Sequence, residues 1–447
     1  MSELLQAVVA GAAPQELLAL DLPSSYRAAY LVKDEVDMFE GVRDKDVRKS
    51  LHIGEMPMPE PAPDECIVAV MSAAINFNTV WSAIFEPVPT FAFLEKLGRQ
   101  GPHGARHDLP LHQLGSDASG VIVRVGTGVK NWKVGDKVVV SPSYVDEEDH
   151  TSYDDGMLSE TQLAWGFETN YGALGEYCLV KANQLIRKPR HLSWEEAASS
   201  TLCAATAYRM LVGSHGARMK QGDVVLVWGG TGGLGSYAVQ FVKNGGGIPV
   251  AVVGSEEKAR LVRAQGCEHV INRSELDLPE DGFRHPKAGR VLGEAIRSLV
   301  GEDPQIVFEY LGAETFGTSV YVAKRGGRIV TCGSSTGYKH QYDNRFLWMR
   351  LKQIIGSHGF NYHEAVQTNR LIGLGMIHPT LSKVYPLAEA AEATRAVQTN
   401  QHVGKVAVLC AAPSENMGVD DPELRARIGE EGLGLYRRWA QGGKTAS

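Results

Sequence analysis

Short apolar runs, many of them β-branched and most bounded by glycine or polar clusters, recur along the chain from residue 65 onward. Runs of this length between turn signals read as strands. In the first half they lie close together. They are Glu65–Ile75, Leu114-Gly-Ser-Asp-Ala-Ser-Gly-Val-Ile-Val-Arg-Val-Gly126, Trp132-Lys-Val-Gly-Asp-Lys-Val-Val-Val140 and Gly175-Glu-Tyr-Cys-Leu-Val180. Strands punctuated by glycine predict a small, twisted, partly closed β-domain. From Gly222 the pattern changes. Apolar runs at 224–228, 248–253, 269–271, 306–310 and 328–332 are separated by segments, several with helical spacing of apolar positions. That alternation, with right-handed crossovers, predicts a doubly wound parallel sheet. Ser193-Trp-Glu-Glu196 has the spacing of a capping box and opens a helical stretch that continues through 205–211. Residues 366–376 and 387–399 also read as helical, and 403–409 as a last strand returning to the first domain. The two ends, 1–22 and 422–439, are expected to be helices, the second charged and amphipathic.

Between these elements lie two excursions. Residues 85–110 are rich in proline, glycine and aromatics, and 145–155 are acidic and turn-rich. Ala164-Trp-Gly-Phe-Glu-Thr-Asn-Tyr-Gly172 combines aromatic and polar residues in a way a plain connector does not need.

The most informative stretch is Val224-Val-Leu-Val-Trp-Gly-Gly-Thr-Gly-Gly-Leu-Gly235. A buried strand runs directly into Gly230-x-Gly232-x-x-Gly235, and a helical pattern starts at Ser236. Glycines there let backbone approach a pyrophosphate, and the helix N-terminus offers N–H donors and a favourable dipole. Alone the glycine motif is weak; with strand before and helix after, it reads as a dinucleotide site. The next strand ends at Val252-Val-Gly254-Ser255 with no acidic residue to hold a ribose 2′-hydroxyl, and Lys258 and Arg260 follow. Serine with nearby cations suits a 2′-phosphate, which favours NADP over NAD.

Length and charge narrow the picture. A chain of 447 residues is long enough for two or three domains. A net charge of −7 gives no sign of nucleic-acid binding. The six cysteines contain no C-x-x-C, so no zinc knuckle or disulfide framework is readable. No apolar run reaches membrane-spanning length, and residues 1–22 lack a basic start, so a soluble, cytoplasmic protein is expected.

At 73–78, 114–126, 206–208, 230–235 and Gly326-Gly-Arg-Ile-Val-Thr-Cys-Gly333 the chain resembles the medium-chain dehydrogenase/reductase superfamily. The resemblance implies an α/β fold: a Rossmann-type doubly wound parallel sheet plus a GroES-like, partly closed β-barrel catalytic domain. The expected organisation is a catalytic domain with an N-terminal extension over 1–200, an NADP-binding domain over 201–362, and a return to the catalytic domain with a C-terminal helix over 363–447. Zinc members carry a cysteine near Phe77–Asn78 and a Gly-His-Glu where Gly115-Ser116-Asp117 stands here. Without thiolate and imidazole their catalytic zinc site cannot form. Three further words, Ile75-Asn76-Phe77-Asn78, Trp165-Gly-Phe-Glu-Thr-Asn170 and Ile355-Gly-Ser-His358-x-x-Asn361-Tyr362, resemble the crotonyl-CoA carboxylase/reductases. This implies reductive carboxylation of an α,β-unsaturated acyl-CoA with NADPH and CO₂, no metal and no biotin, in a homotetramer.

By that resemblance Asn76 faces CO₂ with its amide, Phe167 is an apolar wall, and Glu168 and His358 fix a water that also holds CO₂. The cofactor set is Gly230, Thr231, Gly232, Gly233, Leu234 and Gly235 of the turn. Thr206, Ser255, Lys258, Arg273, Cys332, Gly333, Ser334 and His358 complete it. Each side chain also has an ordinary reading: Asn76 as a turn residue, Phe167 as core, Glu168 as a surface carboxylate, His358 as a helix-end histidine. Ala164 and Gly359 stand where the crotonyl-specific pattern has larger residues, which widens the substrate pocket toward a medium-chain 2-enoyl-CoA such as 2-octenoyl-CoA. The product would be an alkylmalonyl-CoA such as hexylmalonyl-CoA, a polyketide extender unit. Four more buried methylenes contribute roughly 3 kcal/mol, on the order of a hundredfold in specificity. Two rivals remain: an enoyl reductase that only protonates the enolate, and a non-catalytic NADPH-binding protein.

Overall fold

The computed structural model describes residues 1–442; the last five residues of the expected third segment lie outside the described residues. The chain forms two compact units. The first comprises Met1–Leu202, Asn361–Gly373 and Leu381–Glu430; the second comprises Cys203–Phe360, Leu374–Thr380 and the chain from Glu431.

The second unit holds a six-stranded parallel sheet in the order His269–Asn272, Ile248–Val253, Val224–Trp228, Ile306–Glu309, Arg328–Thr331, Gln353–Gly356. Strand Val224–Trp228 is buried along its whole length, as its unbroken apolar run requires. The order reverses beside this strand, which makes its C-terminal end the topological switch point where such sheets bind ligands. The sixth strand, Gln353–Gly356, has no counterpart in the strands read from sequence. It is an edge strand and mostly exposed, so no apolar run announces it.

The first unit is built on a seven-stranded sheet around Glu65–Ile75, an eleven-residue strand buried at every position. It pairs antiparallel with Ala118–Val125, Tyr177–Lys181 and Lys405–Leu409. The returning strand is therefore Lys405–Leu409, next to Ile75. A second sheet of His52–Pro57, Ser25–Val32 and Leu111–Gln113 lies in a region where sequence reading assigned no strands. Both expected terminal helices are broken. Residues 1–22 form Glu3–Ala10 and Pro14–Ala19, interrupted at Gly11. The tail forms Pro422–Ile428, Glu430–Leu433 and Leu435–Ala440, with Gly429 at φ 88 ending the first piece. The tail is anchored through Tyr436, which is 1% exposed and donates its hydroxyl to Gln265.

The loop 164–172 sits on segment 114–115 backbone against backbone. Gly172 N–H donates to Gln113, Ala173 N–H to Gly115 and Leu174 N–H to Leu114. Gly166 has φ 71, and a Cβ there would run into the Gly115 carbonyl, 2.7 Å from its carbon. Within the loop, Trp165 donates from Nε1 to Leu179 O at 2.8 Å. Thr169 Oγ1 accepts the Gly166 N–H at 3.1 Å. Asn170 Oδ1 accepts the Gln113 and Tyr171 N–H groups at 2.9 and 2.8 Å, and its Nδ2 donates to Leu111 O at 2.8 Å. These four residues are buried; Phe167 and Glu168 between them are half-buried.

Two buried imidazoles hold the same loop. His107 Nδ1 accepts the Asn170 N–H at 3.3 Å, and His112 joins Thr169 O at 3.2 Å and Thr90 Oγ1 at 2.8 Å. Burial pushes His107 down to about 3 and His112 down to about 4. Both values lie below the usual histidine range, so the unfolded chain binds more protons than the folded one between those values and about 6.5. The stability these groups permit is intact above about pH 6.5 and falls as pH drops toward 4, by up to roughly tenfold in the folding equilibrium per pH unit per histidine. Denaturant unfolding of the protein across pH 4–7 is expected to show this slope. A His107→Gln, His112→Asn variant is expected to flatten it; an unchanged slope refutes the assignment.

Candidate active site

Asn76 follows the end of strand Glu65–Ile75 and is 5% exposed. Its amide is held from both sides. Nδ2 donates to Asp117 Oδ2 at 2.9 Å, and Oδ1 accepts from the Lys405 ammonium. Lys405 Nζ also donates to Ile75 O at 3.0 Å and lies 3.2 Å from Asp117 Oδ2. Asp117 Oδ1 accepts the Leu202 N–H at 2.8 Å. Burial pushes the Asp117 carboxyl up; Lys405, Asn76 and the Leu202 N–H oppose that shift. Neither Asp117 nor Lys405 was among the residues proposed from sequence for this site. The signal was present: Asp117 ends the Gly-Ser-Asp word, and Lys405 is a lone cation opening an apolar strand.

The two words that depart from the pattern of the zinc members are joined by a side-chain hydrogen bond. Asn78 Nδ2 donates to Ser116 Oγ at 2.7 Å. An amide and a hydroxyl offer neither thiolate nor imidazole, so this donor set does not suit zinc.

Phe167 and Glu168 project from the loop described above. The Phe167 ring lies against Phe93, centroids 6.2 Å apart. Glu168 Oε2 accepts the Ala164 N–H at 2.7 Å, and its own N–H donates to Ala164 O at 2.7 Å, so the carboxylate folds back over the start of its loop. Ala164 is half-buried in the two-stranded ribbon with Ser143. A cavity of about 370 Å³ adjoins that ribbon, lined by Ser143, Asn183, Tyr362, Glu147, Asp154 and Asp155 among others. Its carboxylates suit neither an alkyl tail nor coenzyme phosphates.

Asn76, Ala164, Phe167 and Glu168 belong to the first unit; His358, Gly359 and the cofactor set belong to the second. His358 is exposed, just past the edge strand Gln353–Gly356. Gly359 has φ 50, where any side chain is strained, and Phe360 beside it is fully buried. The missing side chain at 359 thus has a backbone reason of its own.

In the second unit Gly230–Thr231–Gly232 form the turn, and Gly233, Leu234 and Gly235 open helix Gly233–Asn244. A Cβ on Gly235 would meet the Gly229 carbonyl and come within 3.1 Å of Gly230 Cα, so helix and turn close only on glycine. That leaves the helix N-terminus open for a pyrophosphate. Thr206 is buried in helix Thr201–Val212, and Cys332, Gly333 and Ser334 follow strand Arg328–Thr331 at its C-terminal end. Ser255 caps helix Glu256–Ala264, accepting the Lys258 N–H at 3.2 Å. Arg273 lies over Gly254, where a methyl group would touch its Nε at 3.4 Å. The Lys258 ammonium is pushed down by burial and then by the Arg273 charge. Two cations near Ser255, held close against their own repulsion, have the charge that suits a dianionic 2′-phosphate. The residues present fit NADP.

Family models match two parts of the chain. Residues 62–190 match the alcohol dehydrogenase GroES-like domain and 233–372 the zinc-binding dehydrogenase. The chain is 53% identical to a crotonyl-CoA reductase of Streptomyces collinus, over 92% of this chain and 94% of that one. It is 38% identical to the crotonyl-CoA carboxylase/reductase of Cereibacter sphaeroides, over 82% and 85%. Its fold matches the 2-octenoyl-CoA carboxylase reductase CinF of a Streptomyces species, solved with NADP and 2-octenoyl-CoA. The TM-score is 0.95 and the identity 58%, over 98% of this chain and 99% of that one.

The cation pair makes a binding prediction. Arg273→Ala is expected to weaken NADPH about tenfold or more and NADH by less than about twofold, since a charge-assisted phosphate contact contributes roughly 1.5–3 kcal/mol. Fluorescence titration of both nucleotides reads this, and equal losses would overturn it.

Proposed function

The chain belongs to the crotonyl-CoA carboxylase/reductase family, and on that basis we propose that it catalyses NADPH-dependent reductive carboxylation of a medium-chain 2-enoyl-CoA, such as 2-octenoyl-CoA to hexylmalonyl-CoA. NADPH, when bound, supplies the hydride. It adds to Cβ of the enoyl thioester, and the electron pair moves to Cα and the thioester oxygen as an enolate. Cα then bonds to the carbon of CO₂, and the charge ends on the new carboxylate. Protonation at Cα instead gives only the saturated acyl-CoA.

The residues of this chain decide between those outcomes by holding CO₂ and keeping acids away. Asn76 donates to CO₂ from an amide N–H. Phe167 walls off water, and Glu168 and His358 orient a water that donates to CO₂. The observation that carries this reading is the loop 165–170. Four of its six residues are buried and hydrogen-bonded into the fold, and the two left half-buried are the pair assigned to CO₂. Outside the loop, the medium-chain preference draws support from the likeness to CinF. Ala164 adds to it, whereas Gly359 carries less weight because of its φ.

No helix among the described residues is long and apolar enough to cross a membrane, and the six cysteines are free. A cytoplasmic location is part of the proposal. So is a homotetramer. Supporting assembly, Trp348, Met349 and Leu351 are 62, 54 and 66% exposed and lead directly into the edge strand Gln353–Gly356. An open edge beside apolar residues is self-complementary across a two-fold axis.

In bicarbonate buffer, octenoyl-CoA and NADPH are expected to give a product heavier by two hydrogens and one CO₂. The kcat/KM should exceed that for crotonyl-CoA by up to about a hundredfold. Product heavier by two hydrogens alone would make the protein a plain enoyl reductase, and NADPH binding without oxidation a non-catalytic one. Glu168→Ala should lower the carboxylated share of product; an unchanged share removes Glu168 from the site.

Light scattering at micromolar concentration is expected to return about four times the 48.5 kDa chain mass. Trp348→Glu with Leu351→Asp should lower it. A monomeric native mass would refute the assembly.

A further inference from the structure

We infer that Lys405 and Asp117 are positioning residues for carboxylation, locking Asn76 in one amide orientation so that the same N–H edge always meets CO₂. This rests on the function proposed above and adds two residues to it.

A side-chain amide can turn over about its last torsion at little cost when its neighbours do not tell oxygen from nitrogen. Here they do. An ammonium faces Oδ1 and a carboxylate faces Nδ2. Turning the amide over would set N–H against ammonium and C=O against carboxylate, two like-pole contacts in a site where both charged groups are at most 2% exposed. At that burial electrostatic contacts are far stronger than in water. The geometry is fixed from three elements. Asn76 follows strand Glu65–Ile75, Lys405 begins the antiparallel neighbour Lys405–Leu409, and Asp117 immediately precedes Ala118–Val125 on the other side. All three strands are adjacent in one sheet, so hydrogen-bonded backbone sets the spacing of the triad.

Lys405 does not itself serve as the acid. Its ammonium has three N–H groups, and three protein acceptors lie within reach: Ile75 O, Asn76 Oδ1 and Asp117 Oδ2. It stands behind the amide, 2% exposed, and acts through it.

Lys405→Met alone strands a buried carboxylate and can unfold the protein. The informative variant is therefore Lys405→Met with Asp117→Asn, which removes both charges at nearly constant volume. Loss of the lock leaves the amide to sample both orientations. The ratio of carboxylated to merely reduced product, per NADPH consumed, is expected to fall about tenfold to a hundredfold, as small misplacements of reacting groups do. The KM for CO₂ should rise more than that for the acyl-CoA. A merely structural role would lower total turnover and leave the ratio in place. If the double variant is folded by thermal melting and keeps the native product ratio, the inference is wrong. Asp117→Asn alone, isosteric and leaving Lys405 its Ile75 and Asn76 acceptors, gives the same readout where the double variant does not fold; an unchanged ratio there also overturns it. Failure of the native enzyme to make any carboxylated product would instead refute the proposed function.

Discussion

Segment 114–117 is buried along its whole length, and its polar groups must find partners inside the protein. The candidate site is the set of those partners. The Gly115 carbonyl takes the Ala173 N–H and leaves room only for glycine at 166, which fixes where the loop carrying Phe167 and Glu168 begins. Ser116 takes Asn78, and Asp117 takes Asn76, Lys405 and Leu202. Four consecutive residues thus set the position of both halves of the first unit's chemistry. In zinc relatives of the superfamily the corresponding word carries metal ligands; here its side chains bind other side chains.

The same constraint runs through most of the loop 165–170. Its tryptophan and asparagine bond buried backbone groups outside the loop, its threonine closes the loop on the Gly166 N–H, and its glycine lets the backbone approach Gly115. Replacing any of them leaves an unpaired donor or acceptor, or a clash, and costs about 1–3 kcal/mol each before any effect on chemistry. Phe167 and Glu168 are tied more lightly, to Phe93 and to the backbone of Ala164, and remain half-buried.

The parallel sheet and glycine turn were legible because both follow from local rules: buried runs between turns, and glycine where backbone meets backbone. The seven-stranded sheet was legible in part, through the same runs. The sheet containing Ser25–Val32 and His52–Pro57 was not, since its strands mix polar and apolar residues without clean alternation. Strand Gln353–Gly356 escaped because an exposed edge needs no apolar pattern. Asn76, Phe167 and Glu168 could be named from their words, but not the way they are held. Lys405 lies 329 residues from Asn76, and only the antiparallel pairing of Lys405–Leu409 with Glu65–Ile75 brings them together. Gly359 shows how one residue can answer to two causes: its φ of 50 favours glycine for the backbone alone, so the small residue does not by itself speak for space beside it.

Under the proposed function the choice of an amide at position 76 has a chemical logic. An enolate reacts with any acid within reach, and proton transfer from an ammonium or imidazolium is faster than carbon–carbon bond formation with a dilute gas. An amide N–H donates a hydrogen bond to the oxygen of CO₂ yet is no acid at these pH values. The polarising charge is still needed, and the protein supplies it one step removed. Lys405 places its cation on the amide oxygen, which draws electron density from the N–H and strengthens it as a donor, a cooperative effect favoured by low local dielectric. The ammonium protons meanwhile point at three protein acceptors, and Asp117 balances the charge. A cation in direct contact with the enolate would stabilise the same charge and then quench it. Set behind the amide, it polarises the donor and withholds the proton, which is the combination carboxylation requires.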